Sequence, residues 1–477
     1  MAPVKITSRS LRLFFLLAAV AGAGLVTLVT GREAGMARRT QMIGSDRIVA
    51  SEYLAEMNGP MCEFTPEFRT ASASEELIAS AAQYGGSQTA PRAAGVSGAP
   101  RTRPSKAERD ALARRNPKYV MRDTNPGYAG IAIDVTRGEV VMADENLFSI
   151  HVFDRTTNTP PNAARSEPKR MISGEDTSLE FACSVYVDPT SGEIYGINND
   201  TLNWMPVFGR DARGNAKPLR RLATPHTTFG IVADEERQEL LITIQDDQAI
   251  QVFKKGAKDE DAGTRVIQGP KTMMADPHGI TLDPIRKKVF VSNWGSRNTR
   301  AATDPARQKR GWPIGRNQNN AGSGEWIPAS ITVYPKDASG DVAPIQTISG
   351  PKAQLDWPTA LAFHAGRNEL FVANDTTHTI TVYSGDANGD VAPIRVLTGP
   401  KTNIKHPTGV AVDEKNNELW VANFGNHSAT VYAIDASGNV APKRMIRSAP
   451  IGTPTPMIGN PHTMAYDTKR NEILVAN

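Results

Sequence analysis

The chain has 477 residues, 39% of them apolar, with 54 basic against 50 acidic side chains and a net charge of +4. Its 39 Gly and 33 Pro suit many short strands joined by turns, and helical periodicity is nearly absent from most of its length. About five excess positive charges fall before residue 117, which leaves the remainder near neutral and excludes the basic field that nucleic acid binding requires.

At the N-terminus Lys5, Arg9 and Arg12 precede an uncharged run, Leu13 to Gly31, with the pattern of an export signal. Small residues at Ala19, Ala21 and Ala23 permit cleavage, and Arg32, Arg38 and Arg39 disfavour a retained anchor, although the run is long enough to span a bilayer. The expectation is an exported protein, periplasmic or extracellular, with residues 1–31 either a cleaved signal peptide or a membrane anchor through residues 13–31. Membrane contact is expected only through this segment. Residues 32–116 read as a flexible tether, because the stretch from Gly85 to Ser105 has almost no large apolar side chain to offset the entropy of ordering. A short helix is expected around Ser74 to Gln83. Cys62 in the tether and Cys183 beyond it either pair as a staple or remain two thiols.

From residue 117 to 477 the chain repeats one sentence. The copy at His406 reads HPTGVAVDEKNNELWVANFGNHSATVYAIDASGNVAPKRMI, with three alternating runs, a weaker fourth and Gly, Asn and Asp turns between them, which spells a four-stranded antiparallel unit. The first run closes at Asp134, Asp188, Asp234, Asp283, His364, Asp413 and Asp467, and the second closes ten residues later at Asp144, Asn198, Ile244, Asn293, Asn374, Asn423 and Asn477. These recurrent polar residues are expected to cap hairpins, since a reaction centre breaks symmetry and a turn repeats. Units that cannot bury their own faces pack around an axis, so the expected fold is all-β, a seven-bladed β-propeller of four-stranded antiparallel blades.

An insertion at about residues 295–326 interrupts the fourth copy between its second and third strands. It carries Arg297, Arg300, Arg307, Lys309, Arg310 and Arg316 against one acid, Asp304, with Trp312 and Trp326 nearby. Either it is a solvated loop, or it covers the channel mouth and attracts a small anionic ligand. The last copy stops after its second strand, and Pro117 to Met121, PKYVM, resembles the fourth-strand text PKRMI, so these residues are expected to complete the final blade.

The copies resemble NHL-type repeats and the propeller repeats named for a YVTN signature, through PTGVAVD, LWVAN or LFVAN, and TVY. The resemblance implies the propeller fold and leaves function wide, since sugar lactonases, amidating and antibiotic lyases and pure binding scaffolds share it. First strands of a propeller line the channel. His278 and His462 stand five residues before their Asp anchors, Cys183 holds the same position in the second copy, and His406 and His226 lie slightly upstream in theirs. Imidazoles converging there would hold one divalent metal, zinc or calcium. The text PHG resembles the zinc motif of peptidyl-amidoglycolate lyases, which His278 and His462 match directly and His226 with an offset; the plainer alternative is a Pro-His pair that merely starts the inner strand. The turns DASGDVAP, DANGDVAP and DASGNVAP resemble calcium loops but suit ordinary hairpins. No Gly-rich phosphate loop or GxSxG elbow occurs, and no catalytic group is identified. Two readings follow: a binding scaffold holding a protein, glycan or small anionic ligand at the propeller face, or a metal-dependent lyase or lactone hydrolase with a His-lined channel mouth.

Overall fold

The computed structural model describes residues 51–53, 107, 119–121, 123–199, 202–297, 305–315, 325–453, 455, 464–467 and 472–475. They fall into two compact units, residues 1–121 and 122–477. In the first unit Ser51–Tyr53 pairs antiparallel with Tyr119–Met121. The end of the PKYVM segment is therefore a strand, but its partner is Ser51–Tyr53 and not a final blade. The export segment, nearly all of the tether, Cys62 and the helix expected at Ser74 to Gln83 lie outside the described residues. Among the described residues no helix is long and apolar enough to cross a membrane.

The second unit is an all-β propeller. Its blades are antiparallel sheets whose four strands follow chain order from the axis outward, spanning residues 128–172, 182–223, 228–268, 277–349, 358–397 and 407–447. The innermost strands are Tyr128–Asp134, Ala182–Val187, Thr228–Asp234, Pro277–Asp283, Pro358–His364 and Pro407–Asp413, and each packs beside the next, the sixth beside the first. The ring thus closes with six four-stranded blades instead of seven. Among the described residues the seventh copy forms a two-stranded sheet, Met464–Asp467 with Glu472–Val475.

Side-chain burial explains closure at six. A separate apolar cluster fills every seam between neighbouring blades. The sixth-to-first seam is as full as the others: Tyr128, Val140, Met142 and Phe153 of the first blade pack with Trp420, Val431 and Ile446 of the sixth. Each large side chain so buried is worth roughly 1.5–3 kcal/mol. Polar bonds reinforce the same seam, where Ser166 N–H donates to Arg447 O at 2.9 Å, Thr159 N–H to Met445 O at 2.8 Å, and His427 Nδ1 approaches Pro126 O at 2.6 Å.

The recurrent polar residues act as expected of caps. Asp134, Asp188, Asp234 and Asp283 each accept two backbone N–H bonds from the turn that follows the first strand. The second set ties down the segment leading into the first strand: Asn198 accepts from Glu180 N–H, Asn293 from Ala275, Asn374 from Asp356 and Asn423 from Lys405. The DASGD-type turns work across seams. Gly340, Gly389 and Gly438, at φ of 72°, 82° and 71°, bridge to the outer strand of the preceding blade, and Asp341, Asp390 and Asn439 accept the N–H of Lys271, Lys352 and Lys401 in that blade's following turn. Their recurrence is explained by stitching blades together.

Candidate functional site

One backbone device builds the channel mouth in all six blades. The residue after the second strand donates its N–H, at 3.0 to 3.1 Å, to the carbonyl of the residue just before the first strand. The pairs are Glu145 with Gly127, Asn199 with Phe181, Gln245 with Thr227, Trp294 with Asp276, Asp375 with Trp357 and Phe424 with His406. Five of the acceptor residues hold positive φ: Phe181 51°, Thr227 60°, Asp276 56°, Trp357 47° and His406 44°. For Phe, Trp and β-branched Thr this region is unfavourable and persists only where the surroundings enforce it, here at the recurring backbone bond. The backbone frame repeats sixfold, and the side chains it presents do not.

On the side of the fourth and fifth blades the mouth is aromatic. His278 stacks on Trp294 at 3.6 Å between ring centroids, Trp294 meets Trp357 at 4.4 Å, and Trp357 lies 6.4 Å from Trp326. Trp326 reaches this wall because the insertion begins and ends as a two-stranded ribbon, Ser296–Arg297 with Glu325–Trp326. Trp357 is 42% and Trp326 47% exposed, large apolar rings left open to solvent beside a polar channel. Phe148 and Phe181, 6.3 Å apart, belong to the first and second blades.

The remaining mouth side chains are carboxylates and amides. Burial pushes the Glu145 carboxyl up to about 7, a bond from Cys183 opposing the rise and the Asp144 and Asp375 charges adding to it. Burial likewise lifts Asp276 to about 7, helped by Asp246 and opposed by a bond with Gln245. Asp356 is also raised, first by burial, with Asp375 contributing. Asp375 accepts a 2.9 Å bond from His406 Nδ1, and His406 Nε2 is buried with no protein partner among the described residues.

The histidines singled out by the sequence separate in the structure. His278 is at the mouth, 1% exposed, with Nδ1–H donating to Asp276 O at 3.0 Å and Nε2 2.6 Å from the Gln245 carboxamide. Burial drives its pKa down to about 3, so it is neutral, and both ring nitrogens are already engaged. His226 is exposed and contacts Asn203 at 3.2 Å. His462 lies outside the described residues. Among the described residues no three His, Cys, Asp or Glu side chains are arranged to hold a metal, and the donor set of His278 and His226 does not fit one. Cys183 is buried, its Sγ 3.6 Å from Phe181 O. In the insertion, Arg307 pairs with Asp247 and Arg310 with Glu260, both beside the Trp312 ring, while Lys309 is exposed and Arg297 half-buried. Arg300 and Arg316 lie outside the described residues. Sequence reasoning passed over Glu145, Gln245, Asp276, Trp294, Trp357 and Asp375. For Glu145, Gln245, Trp294 and Asp375 the signal was available one residue beyond the second-strand anchor, and for Asp276 and Trp357 one residue before the first strand, where the side chains stop repeating.

A family model described as "Lactonase, 7-bladed beta-propeller" matches residues 328–477, under a third of the chain, which spans the outer strands of the fourth blade, the fifth and sixth blades and the terminal hairpin. No curated protein matches the sequence. Among solved structures the chain is similar to hydrazine synthase of Kuenenia stuttgartiensis at 12% identity, with 65% of this chain and 97% of that one covered and a TM-score of 0.43. Over its C-terminal part, then, this propeller is similar to the lactonase propellers.

Proposed function

We propose that this is an exported propeller of the NHL/YVTN kind that binds a ligand at the mouth of its central channel, the blades serving as scaffold. One observation carries the reading: on a backbone frame repeated six times, two half-exposed tryptophans, Trp357 and Trp326, stand beside a collar of carboxylates and amides. Structural repeats need no such asymmetry, whereas recognition of a ligand does. A glycan or a protein side chain laid against the tryptophans would gain apolar and ring contacts while Gln245, Asp276 and Asp375 orient its polar groups. An anionic ligand on the insertion is less favoured, because Arg307 and Arg310 already face Asp247 and Glu260. The test is intrinsic tryptophan fluorescence titrated with neutral oligosaccharides, amines and carboxylates. A saturable change that Trp357→Ala abolishes supports the reading; no response to any of them contradicts it.

A second reading, lactone hydrolysis, draws on the partial family similarity and on His406. Held by Asp375, the His406 ring has a buried Nε2 with no protein partner among the described residues, which would take a proton from a water admitted there to attack the lactone carbonyl, and protonated Glu145 would return a proton to the ring oxygen as the C–O bond breaks. This version needs no metal. Proton release from a panel of γ- and δ-lactones, lost in His406→Gln, would support it, and absence of release from the wild-type protein would remove it.

A further inference from the structure

Among the described residues the mouth gathers several carboxylates around its aromatic rings. Asp356 and Asp375 flank Trp357, one preceding it in sequence and the other donating its backbone N–H to Trp357 O at 3.1 Å. Asp276 accepts through its backbone O the N–H of Trp294 at 3.1 Å, and the Trp294 ring meets Trp357 at 4.4 Å. Glu145 and Asp375 are close enough to repel one another, as are Asp276 and Asp246. Lys405, whose ammonium bonds His378 Nε2 at 3.1 Å, keeps its charge, whereas the insertion's Arg307 and Arg310 are matched by their own carboxylates. These carboxylates lie beside the half-exposed faces of Trp357 and Trp326, negative quadrupoles that attract cations. A neutral sugar would use the rings and leave the charge unanswered; an anion would be repelled by it.

We propose that the mouth ligand is an organic cation, a quaternary or primary ammonium group held against Trp357 and Trp326 and balanced by Asp375 and Asp356. This rests on the reading that the mouth is the binding site and names the class of ligand it takes. The Trp wall supplies the face that a trimethylammonium group needs, and Asp375 and Asp356 supply the acceptors that a primary ammonium needs.

The experiment titrates the full chain with choline, with its neutral isostere 3,3-dimethylbutan-1-ol, with cadaverine and with maltohexaose, following tryptophan fluorescence and calorimetry. Choline or cadaverine is expected to bind saturably, choline at least tenfold more tightly than its isostere, and Trp357→Ala and Asp375→Asn each to weaken cation binding by about tenfold. Trp312→Phe, in the insertion but paired with Arg310, should leave it unchanged. Equal binding of choline and its isostere, or no binding of either cation, overturns the inference. Binding of maltohexaose alone, lost in Trp357→Ala, would overturn the cation and leave the mouth as a binding site. Wild-type-like thermal unfolding of each variant excludes loss of fold as the cause.

Discussion

Asp144 occupies a place where four other blades carry Asn, and the difference is thermodynamic. Its carboxylate accepts Gly127 N–H at 2.6 Å and the Ser149 hydroxyl at 2.8 Å in a fully buried site, and burial raises its pKa to about 7 in spite of those bonds. A folded pKa above the unfolded value near 4 means the native state holds the extra proton, so the penalty is absent below about pH 4 and complete above about pH 7. Asp144→Asn is therefore expected to stabilise the propeller by roughly 1–3 kcal/mol at pH 8, with no gain at pH 4, as measured by urea unfolding at the two pH values. Glu418 shows the opposite sign. Burial pushes its carboxyl up, but bonds from Arg444 and Lys443 outweigh that and hold it at about 2. Its contribution is full above about pH 4.5 and is lost as the pH falls toward 2. Glu418→Ala strands Arg444 and Arg155 as well, and should cost about 3 kcal/mol at pH 7 in the same measurement. At this scale the sequence was legible wherever a residue type repeats, as at the capping Asp and Asn positions. Trp357 and Asp375 were not, because neither repeats and their adjacency comes from a backbone bond between segments 18 residues apart.

Single elements gain their stability from the neighbouring blade. The turn DANGDVAP was readable as a turn from Gly389 and its Asp and Asn residues, yet the object it closes belongs to the preceding blade, where Asp390 accepts Lys352 N–H at 2.7 Å and Gly389 bridges to Ile348. No local pattern reveals a partner 38 residues away. Replacing Asp390 by Ala should cost about 1 kcal/mol, the value of a lost cap, while Asp390→Asn should be nearly neutral, since Asn439 makes the equivalent bond in the next seam. Thermal midpoints of the two variants decide this, and an equal loss in both would show that charge, not the side-chain acceptor, matters. The insertion behaves in the same way. Its outer part leans on the third blade, through Gln268 to Ile314 O at 2.9 Å and Gly263 N–H to Arg310 O at 2.8 Å, and its basic residues consequently meet acids that sequence distance conceals.

Text measures repeats and geometry measures closure: the sequence holds seven copies and the family model matched by its C-terminal part is described as seven-bladed, whereas the described residues close as six blades. Seven first-strand sentences are present, but Trp420 and Ile446 of the sixth blade find Tyr128 and Phe153 of the first, and a filled seam leaves no place for a seventh blade. The ring also brings Glu145 of the first blade and Asp375 of the fifth into electrostatic reach of one another at the mouth. Deleting residues 456–477, which include the whole terminal hairpin, tests this most directly. Six-bladed closure predicts a single cooperative unfolding transition with a midpoint within about 2 °C of the full chain and an unchanged tryptophan emission spectrum. Loss of cooperativity, or a red-shifted emission with binding of a hydrophobic dye, would mean that the last copy is part of the ring and would contradict closure at six.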